Sequence, residues 1–320
     1  MNIKDFGGEF KLIDLISKNT SNPDVIVGIG DDCAVLKYSE KEHLLWTVDM
    51  MVDGDHFRTD WMTGGQVGAK TVESNVSDIA AMGGLPKYAL VSIALTDDTP
   101  IEFVEELYGG MRLCGKKYGL EIVGGNTTHS KTLTIDFTLL GVVEEKKLTL
   151  RSGARVGDLI CVTGDLGKSR VGLELLLAGK TGFTDAYLNP SCRLFEAREI
   201  AGYANSMIDV SDGLASEVNH ICQMSGVGAK VYEKEIPILE KTRKAAESLG
   251  KNPLEYALHG GEDYELVFTV SAEKYGKMNV ECPTSVVGKI LPESSGTNLI
   301  DPKGVKKPLG GGYDHFKTDM

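Results

Sequence analysis

The chain divides at residues 144–165, EEKKLTLRSGARVGDLICVTGD. Before this stretch, strand and helix signals alternate, and after its charged EEKK start an apolar run at 159–163 begins the alternation again. A charged connector between two such halves indicates a domain boundary. We therefore predict two domains, 1–147 and 148–320, which fits the 320 residues of the chain.

Each half mixes helices with sheets, so the predicted fold class is α+β or mixed α/β. In the first half, strands are predicted at 24–29, 43–48, 88–95, 120–123 and 132–143, and helices at 65–82 and 99–118. Thr99 and Glu102, with Pro100 between them, predict a capping box for the second of these helices. In the second half, strands are predicted at 159–163, 207–210, 229–232, 264–270 and 285–290, and helices at 169–178, 190–203 and 214–224.

Composition excludes several classes of protein. A formal net charge of −12 leaves no basic face for nucleic acid. No apolar run approaches the roughly 20 residues that span a bilayer, and the amino terminus lacks the pattern of a signal peptide. The six cysteines are scattered, with neither a CxxC pair nor zinc-like spacing. We expect an unexported, cytoplasmic protein that binds neither membranes nor nucleic acid.

Acidic residues recur at the ends of hydrophobic runs, in glycine-rich settings. They are Asp31 and Asp32 in GIGDD, Asp49 in WTVDMM, Asp78 in SDIAAMGG, Asp209 and Asp212 in IDVSDG, and Glu262 and Asp263 in GGEDYEL. Two like charges about 4 Å apart repel by about 4 kcal/mol at an effective dielectric near 20, so converging carboxylates need protons or divalent ions. The pattern predicts a site for several magnesium ions.

The predicted helix at 65–82 carries two stripes at helical spacing. One stripe is apolar, and the other is polar, contains no Lys, Glu or Arg, and consists of Thr71, Ser74, Asn75 and Asp78. Small polar groups of this kind favour a ligand or ion over a solvent-facing role. Asp49 follows a predicted strand just after Thr47, and a hairpin there would bring Asp31, Asp32 and Asp49 to one sheet edge.

Other motifs allow two interpretations. Asp212 could instead cap the following helix, GGNT at 124–127 could be a plain turn, and Arg151 could be a surface residue. VTGDLGKS lacks the first glycine of a phosphate-binding P-loop, so we interpret it as a strand-to-helix turn with a solvated Lys168. No HExxH or GxSxG motif is present, which disfavours nucleophilic hydrolysis.

Nine motifs, in order, resemble those of the thiamine-monophosphate kinase family, within the superfamily that includes aminoimidazole ribonucleotide synthetase. They are GEFKLI, GIGDDCAVL, TVDMMVDGDHF, NVSDIAAMGG, GGNTT, RSGARVGD, IDVSDGL, GGEDYEL and GGYDHF. The resemblance implies a two-domain fold like that of the synthetase. It also implies ATP-dependent phosphorylation of thiamine monophosphate to thiamine diphosphate, with several Mg²⁺ ions, in a homodimer formed through the amino-terminal domains.

The resemblance also assigns roles to individual residues. It implies Mg²⁺ ligands at Asp32, Thr47, Asp49, Asp78, Asp209 and Asp212, of which Asp49, Asp78 and Asp212 are the catalytic set. ATP would contact Tyr108, Gly125, Arg151 and Ser211. The thiamine substrate would contact His56, Glu262 and Tyr313, and an aromatic face at Tyr313 suits a flat cationic heterocycle.

One position departs from the family pattern. The family usually has aspartate where this chain has Asn126, a ligand without charge, so an ion there would bind more weakly or through water unless a neighbouring acid compensates. Two alternatives stay open: a superfamily member with a different phosphate acceptor, and a non-catalytic protein that binds nucleotide and magnesium. A selenide-activating or hydrogenase-maturation enzyme is disfavoured because neither end of the chain carries the cysteine such enzymes use.

Overall fold

The computed structural model describes residues 9–17 and 21–313. A short helix, α1 (Glu9–Ile16), comes first, followed by a six-stranded sheet and then a seven-stranded sheet. Each sheet is antiparallel except for one parallel pair, β4 with β5 in the first and β9 with β12 in the second. The predicted mixed α+β fold class is thus confirmed.

The first sheet has the strand order β1-β2-β3-β6-β4-β5. Its strands are β1 (Val25–Val27), β2 (Ala34–Lys37), β3 (Glu42–Val52), β4 (Leu85–Leu95), β5 (Glu121–His129) and β6 (Thr134–Glu144). The helices α2 (Gly64–Ala81) and α3 (Ile101–Tyr118) cover one face of this sheet. Side chains along β3 and β4 alternate between buried and exposed, because the opposite face has no covering element in the described chain.

The second sheet has the order β13-β12-β9-β11-β7-β10-β8. Its strands are β7 (Leu159–Thr163), β8 (Ser206–Asp209), β9 (Val227–Tyr232), β10 (Leu266–Val270), β11 (Thr284–Pro292), β12 (Thr297–Ile300) and β13 (Lys306–Pro308). The accompanying helices are α4 (Lys168–Leu177), α5 (Asp185–Leu188), α6 (Leu194–Ile200), α7 (Leu214–Ser225), α8 (Glu240–Glu247), α9 (Pro253–His259) and α10 (Ala272–Tyr275). Two 3₁₀ turns lie at Glu233–Glu235 and Glu293–Ser295. The predicted boundary at 147/148 falls between the end of β6 and the start of β7.

Helix α2 joins the two halves. A capping box between Thr63 and Gln66 fixes its start, and Gly83 follows its end with φ 72°. A Cβ added to Gly68 would lie 2.1 Å from the Leu107 carbonyl oxygen, so glycine is required where α2 crosses α3. The other side of α2 contacts α6 and β8 of the second half, which leaves most of its polar side chains buried.

Several sequence-based expectations were wrong in detail. Helix α3 has Pro100 as its N-cap without a side-chain hydrogen bond, and Thr99 bonds to Thr96 instead, so no capping box forms there. GGNT lies inside β5 rather than after a strand, because the parallel pairing with β4 extends to His129. The helix expected at 190–203 is confined to Leu194–Ile200, β2 was missed, and β3 continues through Asp49.

The cysteines and the helices bear on the expected environment of the chain. All six cysteines are free thiols. No helix within 9–17 and 21–313 has the length and apolar character needed to cross a bilayer.

Candidate active site

Three carboxylates from separate parts of the chain converge in a cleft between the two sheets. Asp32 precedes β2, Asp78 lies on the last turns of α2, and Asp209 is the final residue of β8. One oxygen atom from each lies within 4.8 Å of the other two. The two sheets therefore contribute to a single acidic cluster, as the acid pattern predicted.

Hydrogen bonds orient each member of this cluster. The Thr47 hydroxyl donates to Asp78 at 2.6 Å, and the Ser77 hydroxyl donates to Asp209 at 2.6 Å across the two halves. The Arg151 guanidinium donates to Asp32 Oδ1 at 2.6 and 3.1 Å. Asp32 Oδ2 is buried without a hydrogen-bond partner. This orphaned oxygen has the strongest need for a ligand in the cluster, because a buried unpaired acceptor costs about 1–3 kcal/mol.

Burial and mutual repulsion disfavour the charged forms of these acids. Burial, with Asp32 nearby, raises the pKa of Asp209 to about 8. Burial, together with Asp49, Asp209 and Asp32, raises the pKa of Asp78 well above its usual range. The pKa of Asp31 is likewise raised, to about 7, by burial and by Asp32. A bound cation would reverse these shifts by favouring the ionised carboxylates.

Asp49 and Asp212 line the same cleft. Asp49 points inward from β3 and has a hydrogen bond from Ser74, while burial raises its pKa. Asp212 lies before α7, whose N-cap is Gly213 without a side-chain bond, so the capping interpretation of Asp212 was wrong. Its backbone N–H donates instead to the buried Glu217 carboxylate at 2.8 Å.

The acids lie along a cavity of about 350 Å³. Its wall includes His56, Glu262 and Tyr313, the three residues predicted to contact a thiamine. The Tyr313 N–H donates to the Asp212 carbonyl at 3.1 Å, which holds the carboxyl-terminal segment over the acids. The rest of the terminal motif, residues 314–316, lies outside the described residues.

A second cavity, of about 490 Å³, adjoins the first. Both are lined by Arg151, Ser211 and Asp212. Arg151 is thus part of the cleft rather than a surface residue. Two ligands, one in each cavity, could meet beside these three residues.

Three predicted site residues, two nucleotide contacts and one metal ligand, do not reach this cleft within one chain. Tyr108 lies half-buried on α3, and Gly125 and Asn126 lie on β5, which is three strands away from β3. A Cβ at Gly125 would lie 1.9 Å from the Val91 carbonyl oxygen, so the strand itself requires this glycine. Asn126 shares a row of the sheet with Ser92 and Asp136. Asp136 is thus an acid on the same face as Asn126, about 10 Å away.

Some functional candidates escaped sequence reasoning. Lys70 is fully buried. A second polar stripe on the same helix, at i, i+4, i+7 and i+8, consists of Lys70, Ser74, Ser77 and Asp78. This spacing is the sequence signal that could have identified Lys70. Lys168 was expected to be solvated, which was wrong: it pairs with the buried Glu265. No local pattern identified Glu265, because its other partners, Thr163 and Arg193, are distant in sequence.

The residues fit magnesium. Carboxylate and hydroxyl oxygens are the hard ligands that this ion takes, usually together with waters and substrate phosphates. Asp32, Asp78 and Asp209 supply three such ligands at compatible distances. Asp49, Asp212 and Thr47 border the same space.

Comparisons with known proteins agree with this arrangement. A family profile described as AIR synthase related protein, N-terminal domain, matches residues 30–143, and the corresponding C-terminal domain profile matches residues 155–297. Thiamine-monophosphate kinase of Aquifex aeolicus is 38% identical over 99% of this chain and 100% of its own length. The chain belongs to the thiamine-monophosphate kinase family. A solved structure described as AaThiL complexed with AMPPCP and TMP has a TM-score of 0.88 and 38% identity, and covers 98% of this chain and 99% of that chain.

The two domain profiles match the two parts of this chain that contain the first and the second sheet. Asp32 and Asp78 fall in the first matched region and Asp209 in the second, so the acidic cluster requires both. Hydrogenase maturation protein HypE shares the fold at a TM-score of 0.72, with 20% identity over 91% of this chain and 94% of that chain. At that identity the likeness concerns the fold alone.

Proposed function

We propose that this chain transfers the γ-phosphoryl group of ATP to thiamine monophosphate and so forms thiamine diphosphate and ADP. The observation that carries the proposal is the cluster of Asp32, Asp78 and Asp209, at a cavity that also exposes His56, Glu262 and Tyr313. Family membership supports the same reaction, as does the related structure described with AMPPCP and TMP.

The acceptor needs little activation. The second pKa of a phosphate monoester is about 6, so the phosphate of thiamine monophosphate is largely dianionic at neutral pH. In a direct in-line transfer, an oxygen of this phosphate forms a bond to the γ-phosphorus while the bond to the β,γ-bridging oxygen breaks. No general base is required, which is consistent with the absence of a His or Ser catalytic motif in the sequence.

The chain's own residues bind and orient the reactants. When bound, magnesium would neutralise charge on the phosphate oxygens, and Asp32, Asp78 and Asp209, with Asp49, Asp212 and Thr47, would hold it. Thr47 and Ser77 fix the rotamers of Asp78 and Asp209. Tyr313 offers its ring to the heterocycle, and Ser211 borders both cavities where nucleotide and acceptor would meet.

The test is an assay of purified protein with ATP, MgCl₂ and one phosphate acceptor at a time. We expect equal amounts of ADP and thiamine diphosphate with thiamine monophosphate. ADP formed only with the purine precursor used by aminoimidazole ribonucleotide synthetase would overturn the assignment of substrate. No ADP with any acceptor would favour the non-catalytic alternative.

We further propose a homodimer formed through the amino-terminal domains. The uncovered face of the first sheet, called here the open face, presents the large apolar side chains of Trp46, Val48, Met50, Tyr88 and Leu90, each about half exposed. A contiguous apolar patch of this kind marks an interaction site. A second copy on this face would bury these residues, and it could supply Tyr108, Gly125 and Asn126 to the partner's cleft, which one chain by itself does not do.

The free thiols of all six cysteines fit a cytoplasmic location.

Magnesium is expected to change the pH dependence of stability. Because the pKa of Asp209 is raised to about 8, the metal-free folded protein keeps protons that an unfolded chain, with carboxyl pKa values near 4, has released. Its stability should therefore fall as the pH rises from about 4 to about 8. We expect saturating Mg²⁺ to raise the Tm at pH 8 by at least about 3 °C more than at pH 5.5.

Differential scanning fluorimetry with and without Mg²⁺ at both pH values measures this effect. The Asp209→Asn variant is the control, and it should show a smaller pH dependence and a smaller magnesium shift. An equal magnesium shift at the two pH values in the unmodified protein would contradict the expectation.

A further inference from the structure

The side chain of Lys70 is buried at the junction of the two domains. It extends from α2, is 0% exposed, and its ammonium lies 2.9 Å from both carboxylate oxygens of Glu262. It also donates to the backbone carbonyl of His56 at 3.0 Å. One buried cation thus holds two segments, one from each domain, that line the same cavity.

The surroundings of Lys70 leave its ammonium no access to a ligand. The nitrogen lies 3.8 Å from the centroid of the Tyr187 ring, and the Tyr187 hydroxyl donates to the same His56 carbonyl at 3.1 Å. Burial lowers the pKa of Lys70, and the Glu262 carboxylate opposes that shift. The Lys70 ammonium is surrounded by the two Glu262 carboxylate oxygens, the His56 carbonyl and the face of the Tyr187 ring. Any role of Lys70 in binding therefore acts through Glu262 and His56.

Glu262 is held in an uncommon conformation. Its φ is 54°, which non-glycine residues seldom adopt, and its N–H donates to the Ser211 carbonyl at 2.8 Å. Its side chain is 27% exposed and lines the cavity. The carboxylate is therefore fixed by Lys70 on its buried side and open to a ligand on the other. Strained backbone of this kind persists where surrounding contacts over-determine it, often at ligand sites.

Resting on the proposed function, we infer that Lys70 is a positioning residue for the heterocyclic end of thiamine monophosphate. It fixes the Glu262 carboxylate and the backbone at His56 in place. One cavity-lining residue from each domain is thereby positioned before the heterocycle binds. Because the Lys70–Glu262 pair is close to neutral, Glu262 acts chiefly as a hydrogen-bond acceptor in the wall of this cavity. Preformed acceptors lower the entropy cost of binding. Loss of Lys70 should therefore weaken binding of the heterocycle, while the acids that would serve ATP and magnesium keep their contacts.

The test compares steady-state kinetics of Lys70→Met with those of the unmodified protein. We expect the KM for thiamine monophosphate to rise by about tenfold or more, the loss expected for a displaced charge-assisted hydrogen bond. The KM for ATP should change by less than about twofold. Lys70→Arg should recover part of the loss, because it restores a cation that can pair with Glu262.

Arg198→Met is the matched control. Arg198 forms another ion pair between the domains, with Glu144, away from the cavity. If any broken inter-domain ion pair sufficed, this variant would raise the KM for thiamine monophosphate as much as Lys70→Met does. That result would overturn the inference, as would equal rises in the KM values for both substrates in Lys70→Met.

A double variant separates positioning from folding. If Lys70→Met does not fold because Glu262 is left unpaired, Lys70→Met combined with Glu262→Gln removes both charges. We expect the double variant to have a Tm near that of the unmodified protein, and a high KM for thiamine monophosphate close to that of Glu262→Gln alone. An additive further rise in this KM would show that Lys70 does not act through Glu262.

The inference and the proposed function fail in different ways. A wild-type KM for thiamine monophosphate in folded Lys70→Met, with an active unmodified enzyme, removes the inference alone. Failure of the unmodified protein to phosphorylate or bind thiamine monophosphate removes both.

Discussion

Asp78→Asn is expected to lower kcat/KM by at least about a thousandfold at saturating magnesium, and Asp49→Asn should do the same. Asp78 is the member of the acidic cluster carried by α2, and Asp49 lies beside it on β3. An amide cannot supply the charge that balances a divalent ion, and metal-mediated stabilisation of a transferring phosphoryl group contributes several kcal/mol. The measurement is ADP release across a range of Mg²⁺ concentrations.

The same substitutions should leave the fold intact. Asn at position 78 can still accept the hydrogen bond from Thr47, which measures 2.6 Å with Asp78. Because burial raises the pKa of Asp78 well above its usual range, an uncharged side chain suits the metal-free protein. We expect the metal-free Tm of Asp78→Asn at pH 8 to equal or exceed that of the unmodified protein.

Asp60→Asn is the control for loss of one negative charge. Asp60 is exposed and pairs with Arg58 on the surface, so its replacement should leave kcat/KM within about twofold. Normal turnover by both Asp78→Asn and Asp49→Asn at saturating magnesium would contradict the proposed role of the acids.

Leu90→Asp should convert the protein to a monomer and lower kcat/KM by at least about a hundredfold. Leu90 lies on the open face, halfway along β4, and is 48% exposed in one chain. An unpaired carboxylate buried in an apolar interface costs several kcal/mol, enough to dissociate a dimer. Activity should fall with association because Tyr108, Gly125 and Asn126 would no longer reach a partner's cleft. Sedimentation velocity and the ADP assay measure the two effects on the same sample.

Leu177→Asp is the matched control for this variant. Leu177 is 58% exposed at the end of α4, away from the open face, so the variant should stay dimeric and active. A monomeric unmodified protein would argue against the dimer. A monomeric Leu90→Asp with full activity would argue against a contribution of Tyr108, Gly125 and Asn126 in trans.

Features fixed by local patterns could be predicted from the sequence. Helix α2 follows from its apolar stripe and from the glycines that end it, and its polar stripe proved to face the interior rather than water. The strand that ends at Asp209 follows from an apolar run that stops at an acid. The acids were predicted to converge because their charges have no other common explanation.

Local signals misled where tertiary pairing overrides them. The glycines and asparagine of GGNT are typical of a turn, yet β4 pairs with this segment as a strand. The reason for Gly125 is a close backbone approach of Val91, which no local pattern shows. The pairing with β4, about 30 residues earlier in the chain, outweighs the turn propensity of this segment.

Buried charges were the hardest to predict. Lys168 and Lys70 both resemble surface lysines in sequence, because their partners Glu265 and Glu262 lie 97 and 192 residues further along the chain. The Lys70–Glu262 pair joins the two domains, and the Lys168–Glu265 pair joins distant segments of the second domain, so each pair forms only when the tertiary structure forms. The sequence shows the charges but does not show which of them meet.

A crystal structure of this protein with Mn²⁺, a non-hydrolysable ATP analogue and thiamine monophosphate would test the central claim most directly. Anomalous scattering from manganese would locate each ion. The account predicts ions bound to Asp32, Asp78 and Asp209 that also contact phosphate oxygens of both ligands. Manganese absent from these three carboxylates, or phosphates of the two ligands lying far from them, would contradict it.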